Sequence, residues 1–110
     1  MGLDIYLTED PSDVAVTEDR WIRWGYLHYE NILIACAEFA THKEFDALDC
    51  LWFYDTIGRL DLFDTTRAGI VMASIALRME AEGVRYAEEA RILADLLALA
   101  FRESKTLSWN

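Results

Sequence analysis

A chain of 110 residues is of single-domain size and can bury a core without metal or disulfide help, and 54% hydrophobic residues exclude a disordered polymer. The net charge of −10 excludes naked nucleic acid and anionic membranes as partners, because both demand basic footprints. It leaves cationic protein surfaces, metal ions or no electrostatic partner at all.

In chain order, Leu3, Ile5 and Leu7 alternate with Asp4, Tyr6 and Thr8, the period of a half-buried strand. Glu9 to Asp13 (EDPSD) reads as a turn and Val14 to Val16 as the returning strand, which makes a hairpin over 1–16. A lone hairpin is marginal in water, so the pair must lie on helices or find another strand. From Thr17 to Thr41 a helical period takes over, with Thr17 as cap and Glu18 and Asp19 at the positive end of the dipole. Trp21, Ile32 and Phe39 fall in one row of this helix, flanked by Trp24, His28 and Ala35, which predicts burial of Trp21 and Phe39. Apolar residues on most of the circumference predict a central helix, covered on more than one side.

Thr41 and Glu44 have capping-box spacing, so a second helix is predicted over His42–Ile57, with Phe45, Leu48, Leu51 and Trp52 inward and Gly58 as its stop. Arg59 to Phe63 (RLDLF) reads either as a connector or as a third strand. Asp64-Thr65-Thr66 opens a third helix that ends near Glu82, and Gly69, Ala73 and Ala76 give it a strip of small residues that permits close helix approach. After Gly83 a fourth helix spans Val84–Arg102, with Tyr86, Ala90, Leu93, Leu97 and Phe101 on its inner face. Residues 105–110 read as a tail in which Trp109 tucks back. The predicted fold is mainly α: a compact four-helix domain over 17–104 with a short N-terminal β-hairpin.

The opening MGLDIYL is similar to the MGLDMYL opening of a family of small phage and prophage proteins. That family often continues into a Trp-Arg-Lys-x-Asn-x-Ile-His helix. Trp21 and His28 keep the Trp-to-His separation, Arg23 matches a basic position and Leu27 replaces isoleucine, while Ile22 and Gly25 depart from the pattern. The resemblance covers the first quarter of the chain and implies a phage setting, with no activity to carry over.

Chemistry-bearing motifs are absent from the sequence. No nucleophile elbow, glycine-rich phosphate loop, Cys-x-x-Cys pair or His-Glu-x-x-His stands in it. His28, between Trp21, Trp24 and Ile32, reads as a core or interface histidine. His42, Asp46, Asp49 and Cys50 share a helical stretch but lack the ligand count of a zinc site. The expectation is a non-enzyme with no catalytic residue, cofactor or metal. Cys36 and Cys50 sit in helical patterns without a signal peptide, which predicts buried thiols in a cytoplasmic protein. Arg67, Ser74 and Arg78 form a polar stripe that could meet a carboxylate of the hairpin or an anionic ligand.

Charge distribution has the widest functional reach. Residues 1–66 hold fourteen acidic side chains against four basic ones, a difference equal to the whole chain's −10, while residues 67–110 balance. This predicts a protein-binding module that offers Glu9, Asp10, Asp13, Glu18 and Asp19 to a basic surface. Its concrete form would be a phage-encoded inhibitor of a host defence or nucleic-acid-acting complex. The alternative is a self-assembling scaffold, a homo-oligomer whose seam is the aromatic helix over 17–41 with Trp21, Trp24, Tyr26 and Tyr29.

Overall fold

The computed structural model describes residues 2–8, 21–53 and 57–110. Strand β1 (Gly2–Thr8) is followed by β2 (Trp21–Gly25), helix α1 (Tyr26–Glu38), helix α2 (His42–Leu48) and a 3-10 turn over Asp49–Leu51. Strand β3 (Gly58–Arg59), helices α3 (Leu62–Glu82) and α4 (Ala87–Glu103), and strand β4 (Thr106–Trp109) complete the order. Helices dominate, as the composition and periodicity predict. The sheet is larger than a hairpin: four antiparallel strands in the order β2-β1-β4-β3.

Two of those strands correct the sequence reading. Residues 21–25 are extended rather than helical, with Ile22 facing Ile5 and Trp24 facing Leu3 across the pair. Their exposure alternates with period two: Ile22 is buried and Trp24 half-buried, whereas Trp21, Arg23 and Gly25 are exposed. Aromatic and β-branched residues suit a pleated surface, and β1 needs a partner for its backbone groups along that edge. Trp21 therefore does not join a buried helical row. The second correction is at the C-terminus, where the tail is strand β4, paired with β1 on one side and β3 on the other. Leu107 and Trp109 align with Leu7 and Ile5, so they belong to the same inner face. Of the two readings of RLDLF, neither is whole: Arg59 ends a two-residue strand, and Leu62 already opens α3. The returning strand Val14–Val16, the Thr17 cap and the acidic residues Glu9, Asp10, Asp13, Glu18 and Asp19 lie outside the described residues.

Helix α1 begins at Tyr26, after an extended Gly25, and turns Tyr29, Ile32, Leu33 and Cys36 into the core. Phe39, its C-cap, is only half-buried. Helix α2 is shorter than its periodicity predicts and gives way to the 3-10 turn. Leu48 and Leu51 are buried, but Phe45 is 52% exposed. Its start follows the sequence signal: the Glu44 amide donates to Thr41 Oγ1 at 3.3 Å and the Thr41 amide donates to Glu44 Oε1 at 2.8 Å. Helix α3 starts two residues before the predicted position because the Asp61 carboxylate accepts from the Asp64 amide at 2.7 Å. It stops at Gly83, whose φ of 63° is left-handed. Helix α4 then returns antiparallel, with Arg91 paired to Glu80 near the turn. Further along, the helices close in so far that a Cβ on Gly69 would stand 3.2 Å from that of Leu97. The inner face of α4 ends earlier than predicted, since Phe101 is exposed.

The capping box is a testable joint. Thr41→Ala is expected to cost about 1 kcal/mol in chemical unfolding, the usual loss of a capping side chain. The Arg78 guanidinium, 2.5 Å from Glu44, holds that carboxyl below the usual glutamate range, helped by Thr41. A lowered carboxylate pKa stabilises the fold above the ordinary glutamate value. Stability from Glu44 should therefore be lost as pH falls through its folded value, and Glu44→Gln should flatten that part of the pH profile.

Candidate functional site

A column of stacked rings crosses the domain between sheet and helices. Trp24 of β2 lies 6.3 Å from Tyr29 of α1, Tyr29 lies 5.0 Å from Phe53, and Phe53 lies 4.0 Å from Trp109 of β4, at 5° from parallel. The Tyr29 hydroxyl donates to the Leu51 carbonyl at 2.6 Å, and burial pushes its phenol well above the ordinary value. Tyr29 is thus a core residue rather than an interface one. Its two ring faces are taken by Trp24 and Phe53.

Beside this column opens a cleft of about 210 Å³ lined by Tyr26, Tyr29, Glu30, Leu33, Trp52 and Phe53. That volume is about seven times the roughly 30 Å³ of one liquid water, enough for the end of a side chain. Helical spacing puts Tyr26 and Glu30 one turn apart on α1. The Tyr26 hydroxyl donates to the Phe53 carbonyl at 2.7 Å, which pins the ring across to the segment after the 3-10 turn. Tyr26 and Trp52 stack on no other ring among the described residues. Both rings line the cleft, Trp52 half-buried against the core, and an aromatic ring attracts cations through its quadrupole. Among the described residues, Glu30 is the one charged group in the lining.

Two other clefts differ in charge. A shallow one of about 450 Å³ between α1 and the α3–α4 turn carries both Glu38 and Arg85. Another, of about 320 Å³, holds Trp21 against α4 and carries both Asp95 and Arg102. The four aromatic residues predicted as one interface are therefore dispersed: Trp21 beside α4, Trp24 in the column, Tyr29 in the core, and Tyr26 at the cleft with Glu30.

The remaining candidates take structural places. His28 sits edge-on to Trp24 and Tyr86, with Nε2 3.8 Å from the Glu89 carboxylate of α4, a partner that its own helix could not reveal. Cys36 and Cys50 are free thiols, pushed up by burial to about 12 and about 11. Among the described residues, no group of three or more His, Cys, Asp or Glu side chains converges. Nor, among the described residues, is any helix long and apolar enough to cross a membrane. Arg78 of the polar stripe meets Glu44 of α2 rather than the hairpin, while Arg67 and Ser74 stay exposed. Comparison with protein-family models, curated proteins and solved structures gives no match.

Proposed function

We propose that this chain acts by binding another protein, and that the cleft between Tyr26, Trp52 and Glu30 receives a lysine or arginine side chain of that partner. The observation that carries the reading is the lining itself: the rings of Tyr26 and Trp52 beside the Glu30 carboxylate, in a chain of net charge −10. A cation held over an aromatic face contributes about 0.5–1 kcal/mol at an exposed site and about 2 when desolvated. The adjoining carboxylate adds a charge-assisted hydrogen bond. The acidic excess of residues 1–66 serves the same partner at longer range by steering its approach. Read with the phage-like opening, the concrete form is a small inhibitor that occupies the basic site of a nucleic-acid-acting or defence complex.

The direct test titrates methylguanidinium and butylammonium into the protein and follows the Trp52 indole and Glu30 by NMR. Shifts confined to Tyr26, Glu30 and Trp52, and lost in Glu30→Gln and Tyr26→Ala, are the expected result. Equal shifts over the whole acidic surface, unchanged in those variants, would make the cleft inert and refute the reading.

A further inference from the structure

The sheet has two outer edges, and they differ. Strand β3 offers two residues, a very short edge of the kind that resists further pairing, whereas β2 offers the five residues Trp21–Gly25. At about 3.4 Å per residue that edge is about 17 Å long. The hydrogen-bond pattern fixes which of its backbone groups face outward. The Asp4 and Asn110 main chains exchange both bonds, at 2.9 and 3.0 Å, so Asp4 faces β4 and its neighbours Leu3 and Ile5 face β2. Their partners Trp24 and Ile22 therefore turn inward to β1. That leaves the N–H groups of Trp21, Arg23 and Gly25 on the open side, with the carbonyls of Trp21 and Arg23. Among the described residues, none of these groups has a backbone partner.

We propose that β2 is a docking edge for an extended segment of another protein, which adds to the sheet antiparallel to β2. Side-chain direction selects the occupant. Successive residues of an added strand point to opposite faces of the sheet, so the one opposite Ile22 turns towards the helices. There the cleft of about 320 Å³ lies between Ile22 and a wall of α4 formed by Ile92, Leu96 and Leu99. That volume is about ten times the roughly 30 Å³ of one liquid water, room for a branched aliphatic side chain. Asp95 and Arg102 on the same wall offset each other, so the cleft favours an uncharged group.

The residue opposite Arg23 lies on the outer face, where the guanidinium already stands 3.8 Å from the Asp4 carboxylate. A neutral hydroxyl side chain suits that place better than a further charge. The segment therefore reads β-branched, hydroxyl, β-branched, and against a chain of net charge −10 it gains from lysines at its ends. A second copy of this chain is a poorer occupant. Its own Ile22 is already buried at 8% exposure, so it brings no bare side chain to the cleft, and two chains of −10 repel. The edge shares no residue with the Tyr26–Glu30 cleft, and the inference does not rest on that site's reading.

The probe is a short peptide, acetylated and amidated, with Val-Thr-Val at its centre and lysines at its ends, titrated into the full chain. Amide hydrogen exchange followed by NMR is the readout. In the free protein the Ile22 and Trp24 amides should exchange slowly and those of Trp21, Arg23 and Gly25 fast. Saturating peptide should slow Arg23 about tenfold or more, with Trp21 and Gly25 following, and leave Ile22 and Trp24 unchanged. N-methylation of the peptide's threonine, whose amide bonds the edge, should abolish binding. N-methylation of a valine, whose amide points away, should not. Ile92→Ser should weaken the peptide about tenfold, since one apolar wall of the cleft is lost at a position 41% exposed in the free chain. No binding of the parent peptide would overturn the proposal, as would equal binding of both methylated peptides or indifference to Ile92→Ser. Protection of Arg23 before any peptide is added would overturn it too. The edge would then be covered by the chain itself or, if sedimentation shows a dimer, by a second copy.

Discussion

Trp109→Ala is expected to cost about 3–5 kcal/mol of folding stability, the range for removing a large aromatic from a core. The magnitude follows from position. Trp109 is 7% exposed and closes the ring column by stacking on Phe53. It stands at the end of a strand that links β1 to β3, opposite Ile5 on one side and Gly58 on the other. A ring of this size buries about 150–250 Å², and stacking adds about 0.5–1.5 kcal/mol beyond that area. The neighbouring Ser108 supplies the control. Its hydroxyl is buried with no hydrogen-bond partner among the described residues, so Ser108→Ala removes an unsatisfied group rather than a contact and should leave stability unchanged or slightly raised. Denaturant unfolding of both variants decides the matter. A Trp109→Ala loss within about 0.5 kcal/mol, typical of surface positions, would mean that the last strand is not part of the core.

That a nominal tail contributes so much marks the boundary of what was legible in the sequence. Signals that act within one turn read correctly: the Thr41–Glu44 box, the Gly83 stop and the Gly69 approach all depend on residues close by or on the absence of a Cβ. Strands β2 and β4 did not, because each is made by β1, and β1 is far from both in sequence. WIRWG fits a helical row and a pleat equally well until a partner strand exists. The four residues of β4 are too few to carry a periodic signal. Side-chain exposure failed for a related reason. Periodicity names a helix face, but whether Phe45 or Phe101 is covered depends on where the neighbouring helix ends. The cleft was half legible. Tyr26 and Glu30 share a face by helical spacing, whereas Trp52 arrives from another element through the Tyr26–Phe53 hydrogen bond.

Gly58→Ala should be the most damaging single-methyl change in the chain, and its effect should depend on Trp109. Gly58 pairs with Trp109 across β3 and β4, and a Cβ built on it would stand 2.1 Å from Cζ2 of the indole and 2.7 Å from Cε2. No real Cβ approaches an atom so closely, and the obstacle is a rigid ring already sandwiched against Phe53. Either the short strand leaves the sheet or the indole leaves the column. Overpacking of a filled site costs about 1–3 kcal/mol, and losing the ring stack adds to that. A cost of about 2–4 kcal/mol is therefore expected, against the roughly 0.4–1 kcal/mol that Gly→Ala gains where the backbone allows it. The double-mutant cycle is the discriminating measurement. Once Trp109 is alanine the obstacle is gone, so adding Gly58→Ala should cost almost nothing and the two changes should fall short of additivity by about 2 kcal/mol or more. Additive losses would show that Gly58 is required for its backbone alone. The slot against the indole would then have no part in closing the sheet.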